Sequence, residues 1–205
     1  MILRPRKKSP LNSNNYGENN HMALTQLDSV AALVVIDLQK GIVSMPTAHP
    51  AAEIVDRAAQ LAKAFRARNL PVVLVNVDAM APGRTEAARP KFAFPPDWTD
   101  LVPELDRQPG DILITKRAWG TFLGTALDET LRKRGVTQVV FAGVATTIGV
   151  ESSARSAYDL GYNIAFVLDA MTDRDADAHR YSVEKIFPRM GETCTTAELL
   201  RQLRV

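Results

Sequence analysis

One cysteine, three histidines and no long apolar run set the first limits on this 205-residue chain. The lone Cys194 excludes an intramolecular disulfide framework and any multi-cysteine metal site, and it fits a reducing cytoplasm. His21, His49 and His179 stand apart in the sequence, so no two-histidine ligand spacing is present and no metal is expected. No apolar stretch approaches the about 20 residues of a bilayer-spanning helix, so no membrane partner is expected. Gly-x-Gly-x-x-Gly and P-loop patterns are missing as well, and no nucleotide or other cofactor is expected. The formal net charge of +2 argues neither for nor against an anionic partner.

Residues 1–21 are basic at first and then rich in Asn and Ser, without the apolar run of a secretory signal. They read as a disordered extension, vector-derived or from an upstream start, with residues 22–205 as one domain. A basic arm on nucleic acid is the alternative. Arg4, Arg6, Lys7 and Lys8 carry no interleaved aromatics, however, and no nucleic-acid partner is expected.

What the chain does have is an alternation of buried-strand and helix patterns. Ala31 to Ile36 is continuously apolar, as a strand covered on both faces must be. Ile54, Ala58, Leu61 and Phe65 recur at helical spacing. Further strands are expected at Pro71–Val77, Asp111–Thr115, Val136–Phe141 and Asn163–Leu168. Helices are expected at Leu123–Gly135, Ile148–Leu160 and Ala176–Phe187, and a terminal one follows the Thr195/Glu198 capping box. The proline-rich segment 78–110 predicts an irregular connection. The pattern specifies an α/β fold, a three-layer α/β/α Rossmann-like sandwich on a mainly parallel central sheet.

Ligands in such sheets bind outside the carboxyl ends of the strands. The residues there are Asp37, Asn76 with Asp78, Lys116, and the turn from Gly143 to Gly149. An Asp and a Lys brought together at that edge would shift each other's titration. Each alone also has an ordinary reading, Asp37 as a turn or cap residue and Lys116 as a solvated charge.

Four segments in order resemble the isochorismatase-like hydrolases. Ala32-Leu-Val-Val-Ile-Asp-Leu-Gln39 is similar to the segment carrying that family's catalytic acid, at Asp37, and Ile114-Thr-Lys-Arg-Ala-Trp-Gly-Thr-Phe122 to the segment carrying its lysine, at Lys116. Gly143-Val-Ala-Thr-Thr-Ile-Gly-Val-Glu-Ser-Ser-Ala-Arg155 is similar to the turn that reads Gly-Val-x-Thr-x-x-Cys-Val-x-x-Thr-Ala-Arg in the amidase branch. Phe166-Val-Leu-Asp-Ala-Met-Thr-Asp173 is similar to the next strand and loop. The family's nucleophilic cysteine corresponds to Gly149, which rules out thioester chemistry at this position. Thr146 and Thr147 could offer a hydroxyl, but no base for them is evident in the sequence, and Ser152 and Ser153 read as helix-surface or packing residues.

A second branch of the family, the isochorismatases proper, also has glycine here and protonates a vinyl ether with its Asp. The Tyr and His of that branch's turn are absent here, so the substrate stays open. The chain is similar to a bacterial group sharing the Ile-Gly-Val-Glu-Ser turn. The resemblance implies a hydrolase acting on a small-molecule substrate, with Asp37, Lys116 and Gly149 at the catalytic centre. Asn76, Trp119, Phe122, Val144, Ala145, Thr146 and Thr147 would then line the substrate site, although Trp119 and Phe122 would serve equally as core packing. It further implies a cis peptide near Val144–Ala145–Thr146 and a cytoplasmic homo-oligomer, dimer or tetramer. The alternative is a catalytically inactive pseudoenzyme that keeps the fold as a binding or assembly module.

Overall fold

Segments rich in Val, Ile and Leu on both faces are stable only between two layers of helices. In the computed structural model, which describes residues 24–86 and 95–204, the five expected runs are strands. They are β1 (Ala31–Ile36), β2 (Val72–Val77), β3 (Ile112–Lys116), β4 (Gln138–Val144) and β5 (Asn163–Thr172). A sixth, β6 (Glu192–Cys194), is not signalled in the sequence: its three residues are too few to show a period, and only pairing with β5 makes them a strand. The N-terminal extension expected at residues 1–21 lies outside the described residues.

The sheet is parallel throughout, in the order β3-β2-β1-β4-β5-β6. The chain builds outward from β1 to β3, then crosses back to lay β4 on the other side of β1. That reversal opens a crevice between the carboxyl ends of β1 and β4, where doubly wound folds hold their ligands.

Alternating residues of β1 feed two cores. Ala31, Leu33 and Val35 join one cluster, and Ala32, Val34 and Ile36 the other. The first is covered by α2 (Ala51–Ala67), which buries Ile54, Val55, Ala58, Leu61, Ala62, Ala64 and Phe65, and by α6 (Thr196–Gln202). The second is covered by α3 (Leu127–Lys133) and α4 (Glu151–Asp159). Short helices α1 (Lys40–Val43) and α5 (Ala176–Tyr181) follow the ends of β1 and β5.

Differences from the sequence expectations have local causes. The helix expected from Leu123 starts at Leu127, because Gly124 takes a φ of 70° and Thr125 Oγ1 bonds to both Thr121 O and Leu127 N. The helix expected to Phe187 is regular only through Tyr181. It widens into a π turn at Ser182–Ile186 and narrows at Phe187–Arg189, where Pro188 has no N–H to donate. The Ile148–Leu160 helix likewise opens with a π turn, Thr146–Val150. Strand β5 runs four residues past its expected end through a bulge, since the register jumps from Phe141↔Phe166 to Gly143↔Met171. Asp169, the polar residue that masks this continuation, accepts bonds from Thr196 N and Oγ1 at 2.7 and 2.9 Å.

Candidate active site at the switch point

Asp37 follows the last residue of β1 and takes a left-handed backbone, φ 51°. Its amide donates to Val75 O at 3.0 Å, which holds it beside the end of β2. Lys116 ends β3 and reaches across β2, placing Nζ 2.7 Å from Asp37 Oδ2. The same ammonium donates to Trp119 O at 3.0 Å and Ala118 O at 3.3 Å, so its three protons have three acceptors. Asp37 is 6% exposed and Lys116 2%.

The other oxygen, Asp37 Oδ1, is buried with no hydrogen-bond partner among the described residues. Burial pushes the carboxyl up to about 6, although the charge and hydrogen bond of Lys116 pull the other way. Desolvation of the anion therefore wins over the ion pair. An unpartnered buried acceptor costs about 1–3 kcal/mol, an arrangement that functional sites retain and scaffolds do not need.

The third sequence-derived residue faces this pair. A Cβ built on buried Gly149 would lie 3.3 Å from Asp37 Oδ2. The turn that carries it begins with a non-proline cis peptide, Val144–Ala145, at the position expected. Thr147 donates from its N and Oγ1 to Asp173 Oδ2 at 2.8 and 2.7 Å, which ties the turn to the end of β5. Thr146 Oγ1 is bonded to His179 Nδ1 at 2.8 Å.

In the sequence Thr146 has no evident base and the histidines read as isolated; the fold changes both points. His49, in the loop before α2, bonds through Nδ1 to Thr172 Oγ1 at 3.0 Å, and its ring centre lies 4.9 Å from that of His179. Burial and the nearby His49 bring His179 down to about 4, with Asp173 opposing, so the imidazole is neutral near pH 7. Thr146 is 0% exposed, and its hydroxyl is taken up by His179. The Thr146–His179 pair braces the turn. No spacing signals it, because the two histidines come from distant elements.

Other expected lining residues are placed differently. Asn76 spends its side chain on structure: Nδ2 donates to Thr99 O at 2.9 Å and Oδ1 accepts from Thr115 Oγ1 at 2.7 Å. Phe122 is buried in the second core cluster, its ring centre 6.0 Å from that of Tyr162, the core-packing alternative. Trp119 is 60% exposed and offers Lys116 its carbonyl. Val144 is buried and Ala145 half-buried. Asp78, at the rim, is paired with Arg117 at 3.1 Å. Gln39, which carries no role in the sequence reading, clamps the site: Oε1 accepts from Val77 N at 2.8 Å, and Nε2 donates to Val77 O and Trp98 O at 3.1 Å. An amide two residues after a strand-end acid is the signal that points to it.

Among the described residues no group of three or more His, Cys, Asp or Glu is placed to hold a metal, and no helix is long and apolar enough to cross a membrane.

Residues 31–198 match the isochorismatase domain. The chain is 43% identical over 180 residues to an uncharacterised isochorismatase family protein of Bacillus subtilis, covering 84% of this chain and 94% of that one. It is 34% identical over 200 residues to a ureidoacrylate amidohydrolase of Variovorax paradoxus, covering 81% and 79% respectively. The solved structure of an isochorismatase family protein from Burkholderia thailandensis superposes with a TM-score of 0.85 at 39% identity, covering 89% of this chain and 100% of that one. The strand order, the matched domain and these relatives lead to one assignment: this chain belongs to the isochorismatase family and is a hydrolase of that family.

Proposed function

We propose that this hydrolase cleaves a small-molecule C–O bond of the vinyl-ether type by acid catalysis, with Asp37 as the acid, Lys116 as its partner and no covalent intermediate. The observation that carries this reading is Asp37 itself, raised to about 6 and left with a free, buried Oδ1. A general acid must keep its proton close to neutral pH, and an ordinary carboxyl does not.

The roles follow from the two oxygens. Lys116 occupies Oδ2, so the proton resides on Oδ1. Asp37 gives it to the terminal carbon of the vinyl group, and the ether oxygen shares the resulting positive charge. Water adds to the cationic carbon and its released proton returns to Asp37. The hemiketal then separates into an alcohol and a ketone. Lys116 holds the carboxylate during the interval. Two observations among the described residues support a route without a covalent intermediate: Gly149 has no side chain, and Cys194 is buried in β6 with its thiol pushed up to about 12.

The test is a turnover screen of wild type and Asp37→Asn on isochorismate, simpler enol ethers and small amides. Wild type is expected to release ketone from an enol ether, with Asp37→Asn lower by about 10²–10⁴-fold. Hydrolysis of amides alone would sink acid catalysis of an ether. No turnover of any of them would favour the binding or assembly module.

A further inference from the structure

Lys116 and Gly149 come to Asp37 from opposite sides of β1, by way of β3 and β4. Lys116 is aimed by more than the acid: it also donates to the carbonyls of Ala118 and Trp119, in the loop that follows β3. Whatever fixes that loop therefore helps to fix the ammonium. The loop is tied to α4. Thr121 N donates to Ser153 Oγ at 3.0 Å, and the Thr121 and Ser153 hydroxyls are 2.7 Å apart. Ser153 Oγ in turn lies 2.6 Å from Gly149 O, and both Thr121 and Ser153 are 0% exposed.

The direction of each bond follows from the atoms. A carbonyl only accepts, so the single Ser153 proton goes to Gly149 O. Ser153 Oγ then accepts in its other two bonds, from Thr121 N and from the Thr121 hydroxyl. One proton given and two received exhaust its capacity. A helical serine bonded to the carbonyl four residues back is ordinary packing, and Ser156 does the same to Ser152 O at 3.2 Å. Ser153 differs in the two donors that reach it from outside its helix. Gly120 permits their approach, since a Cβ there would lie 3.3 Å from Ser152 O.

We propose that Ser153 is a positioning residue: its hydroxyl locks the loop that aims Lys116 to the turn that carries Gly149, and so keeps both halves of the site in register about Asp37. The proposal rests on the reading of Asp37 and Lys116 as the working pair. Its test needs no substrate, so failure to find an ether that turns over leaves it standing.

The test is the titration of the Asp37 carboxyl, followed by carbon-13 NMR and assigned with Asp37→Asn. Lys116 is the charged group that opposes burial at this carboxyl, so a lysine held less firmly leaves it higher. Ser153→Ala is expected to raise the midpoint by about one pH unit. Thr121→Val, which keeps the shape and deletes the hydroxyl, is expected to raise it by less. Thr121→Ser, which keeps the hydroxyl, is expected to leave it at the wild-type value. Ser156→Ala removes a bond of the same kind that stays within the helix, and is expected to lower Tm slightly without moving the midpoint. If Ser153→Ala does not fold, the two Thr121 variants decide. An unchanged or lower midpoint in the variants that lose a hydroxyl at 121 or 153, or an equal rise in Ser156→Ala, would reduce Ser153 to helix packing and overturn the assignment.

Discussion

At the residue scale, two buried groups titrate in opposite senses across one pH window. Asp37 is raised from 3.8 to about 6, so between those values the folded state holds more protons than the unfolded chain. Its contribution is fully present at the acid end and is lost as pH rises through about 6. His179 is lowered from 6.5 to about 4, so the unfolded chain holds more protons there, and its contribution is lost as pH falls through about 4. The two slopes oppose each other in wild type. Urea unfolding from pH 4 to 7 is expected to show Asp37→Asn gaining stability with pH relative to wild type, and His179→Asn losing it. Parallel curves for all three proteins would refute both shifts. The same Asp37 value governs rate: with an acid that must be protonated, kcat/KM is expected to fall about tenfold per pH unit above about 6. A rate that rises through pH 7 would make Asp37 a base.

At the element scale, the turn between β4 and α4 is held by side chains from other elements. Asp173 Oδ2 takes two bonds from Thr147, and Oδ1 accepts from Arg174 N at 2.7 Å. Bonds to a charged acceptor are worth about 1.5–3 kcal/mol each before relaxation, so Asp173→Ala is expected to cost about 2–4 kcal/mol in urea unfolding. It should also loosen the turn, seen as faster amide exchange at Thr147. An unchanged exchange rate there would mean that the cis turn holds itself. Helix α2 supplies the contrast. Phe65 is fully buried beneath the sheet and away from the acid, and Phe65→Ala is expected to cost about 3–5 kcal/mol while leaving the Asp37 titration unchanged.

At the scale of the whole molecule, the site exists because β1 and β4 are neighbours. Gly143 of β4 pairs with Ile36 of β1, and its φ of 117° and the 2.1 Å that a Cβ would leave to Ile36 O exclude any other residue. Gly143→Ala is expected to be more damaging than Asp173→Ala or Phe65→Ala, costing more than about 4 kcal/mol, because backbone would have to part from backbone. Its yield of folded protein, compared with Gly161→Ala, checks this: Gly161 also has a positive φ, 82°, but open space around it.

The sequence by itself determined the strands whose signal is local. Six consecutive apolar residues at Ala31–Ile36 have no stable home but a sheet covered on both faces, and the polar residue that ends such a run falls at a carboxyl end. That reasoning places Asp37 and Lys116 at the sheet edge, and the family resemblance supplies their roles, the bare Gly149 and the cis turn. Tertiary structure alone decided the rest, because the quantities involved are distances between segments far apart in the chain. The 2.7 Å ion pair depends on β3 lying two places from β1 in the sheet. The raised acid depends on how many layers exclude water from it, and β6 depends on a partner strand. The histidine pair arises only where segments from separate crossovers meet at the switch point. No local period records such a meeting, since each residue's type is compatible with many neighbours until the fold selects one.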